Sequence, residues 1–203
     1  MLKGAFLTLL LLAAAGALTT IIFVKATGLS ARATPGPVET AVGRRLRAMA
    51  IPGEYANLNN PVLANDESIQ KGMAHFADHC ASCHANDGSG DAEMGKGLFP
   101  PPPDMRQAAT QELGDGALFY IIEHGVRFTG MPAWSTGTPE GEEASWHLVN
   151  FIRQLPRLTP EQVEAMEAMN PRPPAEIRQE IEAERFLAGE DVDPAPGPPA
   201  LAH

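Results

Sequence analysis

A chain of 203 residues and 21.6 kDa holds one or two modest domains and is too short for a large barrel enzyme. With 15 Lys+Arg against 25 Asp+Glu it carries a formal charge of −10, so no basic excess exists to displace phosphate counterions, which excludes DNA and RNA as partners. Two cysteines exclude a disulfide-rich scaffold and any site that needs four thiolates, such as a zinc ribbon or an iron–sulfur cluster.

Gly4 to Val24 is a run of 21 residues without a charge, bracketed by Lys3 and Lys25. As a helix it would measure about 31 Å, enough to span a bilayer core. Residues 1–25 are therefore expected to form a single N-terminal transmembrane anchor. A cleaved signal peptide is the competing reading, with Ala31-Arg32-Ala33 as its small-x-small site, but the run exceeds the usual apolar length of such peptides. Lys25, Arg32, Arg44, Arg45 and Arg47 outnumber the positive charges before the run, so charge alone would place the rest of the chain inside. Residues 34–203 hold 12 basic and 25 acidic side chains. A field of that sign steers toward basic protein surfaces.

Residues 26–65 contain Pro35-Gly36-Pro37, Pro52-Gly53 and Asn59-Asn60-Pro61, punctuation too frequent for a packed element. They read as a flexible tether with one short basic helix near Arg44 to Met49. Its random-coil span would be about 35 Å and its limit roughly 135 Å.

From Glu67, apolar residues Ile69, Met73 and Phe76 or Ala77 recur at helical spacing, with Asp66 available as N-cap. This helix runs into Cys80-Ala81-Ser82-Cys83-His84, the attachment sequence of a c-type haem. Two thiols three positions apart can each add to one vinyl group of the same haem, and the adjacent His84 is then held under the iron as axial ligand. A thioredoxin-like pair would need a strand before the helix and no trailing histidine, and a zinc site would need two further ligands.

Residues 66–157 resemble a class I cytochrome c. The resemblance rests on a first helix with Gly72 and Phe76, the Cys80-Ala81-Ser82-Cys83-His84 motif, a proline-rich turn at Pro100 to Pro103, Gly130-Met131-Pro132, and a closing helix with Trp146 and Phe151 before Pro156. It implies an all-α fold around one covalent haem c, bound through Cys80 and Cys83, with His84 as proximal and Met131 as distal iron ligand. Met131 lies 47 residues after His84, on the loop where that family places its methionine. The proline after Met131 disfavours helical angles there, and Gly130 permits close backbone approach. Met94 and Met105 are the rival methionines, and His124, His75, His79 and His147 would be the candidates for a bis-histidine site. A proline carbonyl of the Pro100 to Pro103 run is implied as acceptor for the His84 ring N–H, without a choice among the four. Gly88 and Gly90 suit positive φ in the turn that leaves the motif, and Gly72 and Phe76 with Phe151 suit a close crossing of the first and last helices.

Thr159-Pro160-Glu161-Gln162 opens a short helix to about Met169. A second helix is expected at Ala175 to Ala188. Residues 158–203 are thus read as a helical, then disordered, extension beyond the cytochrome domain, with Met166 and Met169 outside it. Covalent attachment at this motif implies, within the family, the outer side of the bacterial cytoplasmic membrane, against the vote of the arginines. The expected function is single-electron transfer between respiratory or photosynthetic chain components, without an enzyme activity of its own. The expected partners are redox proteins or a membrane complex that present basic surface. A fixed relay subunit of a larger membrane oxidoreductase is the alternative; a haem sensor or peroxidase-like enzyme is a weaker one, since no acid–base pair is legible beside the motif.

Overall fold

A computed structural model describes residues 2–172 and 174–189. Among them every regular element is helical. Helix α1 (Leu2–Thr27) is apolar along its length, and its stretch Gly4–Ala26 is long and apolar enough to cross a bilayer. The hydroxyls of Thr8, Thr19 and Thr20 donate to the carbonyls of Gly4, Ala15 and Gly16 one turn back, so the polar side chains of this stretch satisfy themselves within the helix.

Two short helices follow, α2 (Pro37–Ala50) and α3 (Gly53–Ala56). The expected tether over residues 26–65 is therefore not a free coil. Residues 53–65 pack on the cytochrome domain, whereas α2 buries no whole residue. Tyr55 lies on Phe119, Tyr120 and His124, and the amide of Gly116 donates to the carbonyl of Leu58 at 3.1 Å. The Asn60 amide donates to the Trp146 carbonyl at 3.0 Å and to Asn150 Oδ1 at 2.8 Å. Asn150 in turn donates to the Val62 carbonyl and to Ser68 Oγ, and Ser68 Oγ pairs with His147 Nδ1 at 2.8 Å. These buried polar groups find their partners in one another, which is the condition for burying them.

The domain is built on α4 (Asp66–His75), α5 (Ala81–His84), α6 (Ala108–Gln111), α7 (Asp115–His124) and α8 (Pro139–Ile152). Asn65, not Asp66, caps α4, accepting from the Ser68 amide at 2.9 Å. Thr138 caps α8, its hydroxyl accepting from the Gly141 amide at 3.2 Å. Helices α4 and α8 cross at Gly72, where an added Cβ would collide with the His147 carbonyl and the Phe151 Cβ. One turn on, Phe76 meets Phe151 with ring centroids 5.2 Å apart. The expected crossing of Gly72, Phe76 and Phe151 is thus present. Helix α7 covers α8 through Phe119 stacked on Trp146 at 4.1 Å, which leaves Trp146 in a packing role.

Helix α9 (Pro160–Glu167) carries the expected capping box between Thr159 and Gln162. It does not lie beyond the domain. Met166 is fully buried in the main core, and the Asn170 amide, oriented to donate, reaches the Ala77 carbonyl at 3.0 Å and pairs with Asn86. Three apolar helix positions, Val163, Ala165 and Met166, cannot announce which neighbour will cover them, so the sequence left this helix unassigned. Helix α10 (Pro174–Leu187) sits where its pattern placed it. The disorder expected for the last residues concerns 190–203, which lie outside the described residues.

Candidate functional site

The chain reaches the Cys80–His84 segment through a wide π turn, Phe76–Cys80, in which the Ala81 amide bonds the Phe76 carbonyl. Such single turns insert one residue into a helix and commonly mark functional sites. Here the turn separates the buried Phe76 and Ala77 from the half-buried Cys80 and Cys83. Both thiols are free rather than joined, and burial together with Cys83 pushes the Cys80 thiol up to about 12. Ala85 ends the segment at φ 59°, ψ 156°, a region almost reserved for glycine. The chain then folds back: the Gly90 amide donates to the His84 carbonyl at 2.8 Å, and Gly88 and Gly90 have the expected positive φ, 71° and 78°.

His84 packs beside Phe76. Its Nδ1 is shielded from solvent and has no hydrogen-bond partner, and burial holds the imidazole down at about 4. An imidazole kept uncharged can give a lone pair to a metal, and an orphaned ring nitrogen is a group that expects one more interaction. The proline run lies against the same turn, but the implied bond from the His84 ring to one of its carbonyls is not made, since Nδ1 has no partner. Gly90 leaves room for the Pro102 carbonyl, and Gly95 for the Cys83 carbonyl and the Pro102 ring. Arg106 donates to Asp104 at 2.8 Å and to Asp87 at 2.7 Å, joining the end of the proline run to the turn after His84.

Met131 sits on a loop closed by its own hydrogen bonds. The Val126 amide donates to the Met131 carbonyl at 3.0 Å, Thr129 Oγ1 donates to the Val126 carbonyl at 2.7 Å, and the Met131 amide donates to Thr129 Oγ1 at 3.1 Å. The amides of Trp134 and Ser135 then bond the carbonyls of Ile122 and Glu123 at the end of α7. Glu123 is buried and accepts from Ser145 Oγ at 2.5 Å, tying that end to α8.

One contact brings the Met131 loop to the turn before Cys80, and a second joins that loop to the stretch ahead of the proline run. His79 packs edge-on to Trp134 with centroids 5.4 Å apart, and the Leu98 side chain fills the space over Gly130 that a Cβ would occupy. Of the rival residues, His79 stands at the Trp134 contact itself. Met94 is exposed and Met105 is in the core; His124 packs on Tyr55 and Tyr120, and His147 is engaged by Ser68. His75 and His79 lie edge to face with each other.

Sequence reasoning missed the set of half-buried Asn60 and buried Ser68, His147 and Asn150, the role of Leu98, and the non-glycine residues Ala85 and Phe128, at φ 59° and 62°. Nothing in a polar residue's identity says which distant partner will satisfy it. Asn59-Asn60-Pro61 was legible only as a turn.

Residues 67–152 match the family described as "Cytochrome C oxidase, cbb3-type, subunit III". That stretch runs from the first turn of α4 to the last residue of α8, and it contains Cys80, Cys83, His84 and Met131.

Proposed function

Residues 67–152 belong to the class I c-type cytochromes and carry covalent haem c, and on that premise we propose that this chain is a membrane-anchored, single-electron transfer protein whose iron is held by His84 and Met131. When bound, the haem supplies a one-electron ferrous/ferric couple. The single observation that carries the ligand assignment is the buried, unpartnered, uncharged His84 imidazole in a segment whose preceding turn meets the Met131 loop where His79 packs on Trp134.

The chain's own residues then have distinct tasks. Cys80, the last residue of the π turn, and Cys83, on α5, are free of each other and would hold the haem as thioethers, each S–H adding across one vinyl double bond. Phe76 and the α4–α8 core behind it fix the ring plane of His84, and Val126, Thr129 and Leu98 fix the loop of Met131. A site whose ligands are held in place by packing needs little rearrangement when its charge changes, which is what rapid electron transfer requires. A thioether in place of a second imidazole raises the potential.

Helix α1 serves as a single-pass anchor, and the cytochrome domain lies on the outer side of the bacterial cytoplasmic membrane. The partners are redox proteins or a membrane respiratory complex whose contact surface is basic, opposite to the acidic surface of this chain. A second reading makes the chain a fixed relay subunit of a larger oxidoreductase. It is favoured by the oxidase subunit named in the family description and by the packing of residues 53–65 on the domain, which shortens the free linker.

The test is the visible spectrum of the detergent-solubilised protein, oxidised and reduced, with and without carbon monoxide. A weak far-red band in the ferric state and no response of the ferrous state to carbon monoxide are expected. Loss of the band together with carbon monoxide binding would overturn Met131 as a stable ligand. Migration alone or with other subunits in mild detergent separates carrier from relay.

A further inference from the structure

Helix α2 has no buried residue, yet it is strongly two-sided. Val38, Val42, Leu46 and Met49 recur at four-, four- and three-residue steps, so they share one stripe. All four are exposed, from 51% at Val42 to 80% at Met49. Arg45 borders the stripe, while Arg44 and Arg47 occupy the opposite half. The lone acidic residue, Glu39, is spent at the helix start, where its carboxylate accepts from the Gly36 amide at 3.3 Å. The helix therefore combines three arginines and one glutamate within a chain whose part after residue 33 is otherwise acidic.

A helix of 14 residues is marginal in water unless its apolar face is covered. None of the described elements covers this one. What lies within reach is fixed by α1: residues 28–36 form the whole connection, about 30 Å at full extension and nearer 16 Å as a coil.

We propose that α2 lies flat in the headgroup region of the bilayer that α1 crosses, its Val38–Val42–Leu46–Met49 stripe among the acyl chains and Arg45, at the border of that stripe, on anionic lipid phosphates. The proposal rests on the reading of α1 as a membrane anchor. Four apolar side chains on a free peptide would bind a membrane weakly, but attachment through nine residues to a spanning helix makes the step intramolecular. Each arginine near an anionic surface adds attraction that decays within a Debye length.

The consequence concerns reach. Helix α2 ends at Ala50 and α3 begins at Gly53, and α3 is packed on the cytochrome domain through Tyr55. Only Ile51 and Pro52 would then separate the membrane surface from that domain, and the long leash expected from residues 26–65 would shrink to two residues. The haem domain would ride at a fixed height, able to serve acceptors at the membrane surface and not distant ones.

The experiment uses the full haem-loaded chain in vesicles of phosphatidylcholine and phosphatidylglycerol at three to one. Cys80 and Cys83 are consumed as thioethers, so Leu46→Cys or Arg44→Cys gives a single reactive thiol for an environment-sensitive fluorophore. The expected result is blue-shifted emission at position 46 and iodide quenching roughly tenfold slower than at position 44, as for a face sunk ~5–10 Å into the interface. Val42→Glu should abolish the protection of a probe at Met49→Cys while leaving the haem spectrum unchanged. Equal quenching at 46 and 44 in a chain that resists extraction at high pH overturns the α2 proposal and leaves the anchor standing. Release of the chain at high pH overturns the anchor and α2 with it. Protection at 46 that grows with the protein-to-lipid ratio assigns the stripe to a second protein surface and overturns the lipid assignment.

Discussion

Cys80–His84 lies between a π turn and Ala85, with Phe76, Phe151 and the buried Met166 behind it, whereas Met131 lies on a half-exposed loop that three hydrogen bonds of its own close. The first segment borrows its rigidity from the whole core. The second is closed by its own hydrogen bonds and meets the turn before Cys80 where Trp134 packs on His79. Each has one non-glycine residue at positive φ nearby, Ala85 directly after His84 and Phe128 three residues before Met131, so backbone strain is held at both segments. The difference teaches that damage to the His84 side should spread through the domain, while damage to the Met131 side should stay local.

The largest effect is expected at Gly72. Gly72→Val forces a Cβ and two methyls into the His147 backbone at the α4–α8 crossing, and a loss of about 3 kcal/mol or more is expected in denaturant unfolding. Survival of Gly72→Val at wild-type stability would show that the His84 side does not depend on that crossing. Met166→Ala tests the same dependence from the C-terminal side. Its side chain is fully buried, and a cost of about 2–4 kcal/mol is expected; an unchanged midpoint would return α9 to the status of an appendage.

Met131→Ala should leave the fold and the attached haem intact. The reduction potential is expected to fall on the order of 100 mV, well inside the roughly 0.8 V range that axial ligands command, and carbon monoxide should now bind the ferrous protein. Equilibrium titration and spectra check both.

Phe128 is 93% exposed at φ 62°, a conformation that costs an L-residue about 1 kcal/mol and a glycine almost nothing. Phe128→Gly is therefore expected to raise stability by up to about 1 kcal/mol with the spectrum unchanged. A destabilised variant would mean that the aromatic ring itself holds the loop.

The smallest effect concerns Asp104, held down at about 2, first by its hydrogen bond from Arg106. Its folded value lies below the ordinary carboxylate value, so its contribution is present above about pH 4 and is lost as pH falls toward 2. Asp104→Asn should cost about 0.5–1 kcal/mol at neutral pH, as for a solvent-facing pair. The gap to the wild type should close in acid, as unfolding curves at several pH values would register.

Some of this architecture was legible because one local pattern carried it. Cys80-x-x-Cys83-His84 has a meaning at fixed spacing, Gly72 and Phe76 sit one turn apart on a periodic helix, and Thr159 to Gln162 spells its own cap. The tether failed for the opposite reason. Asn60 and Tyr55 look like turn residues until Asn150, 90 positions away, and Phe119, 64 positions away, supply their partners. The proposal of Met131 rests on family resemblance and not on chemistry alone, since a buried methionine and a ligand methionine share every local feature.

The sequence by itself determined the helical class, the anchor-like run at Gly4 to Val24, the haem attachment motif and the acidic surface, because each depends on spacing or composition within a few turns of chain. Only the tertiary structure decided that residues 53–65 and α9 belong to the cytochrome domain and that Trp134 joins the Met131 loop to the turn before Cys80. It also left the apolar stripe of α2 uncovered. Those outcomes depend on which buried groups satisfy one another across the chain, and complementarity between distant surfaces has no signature in either surface alone.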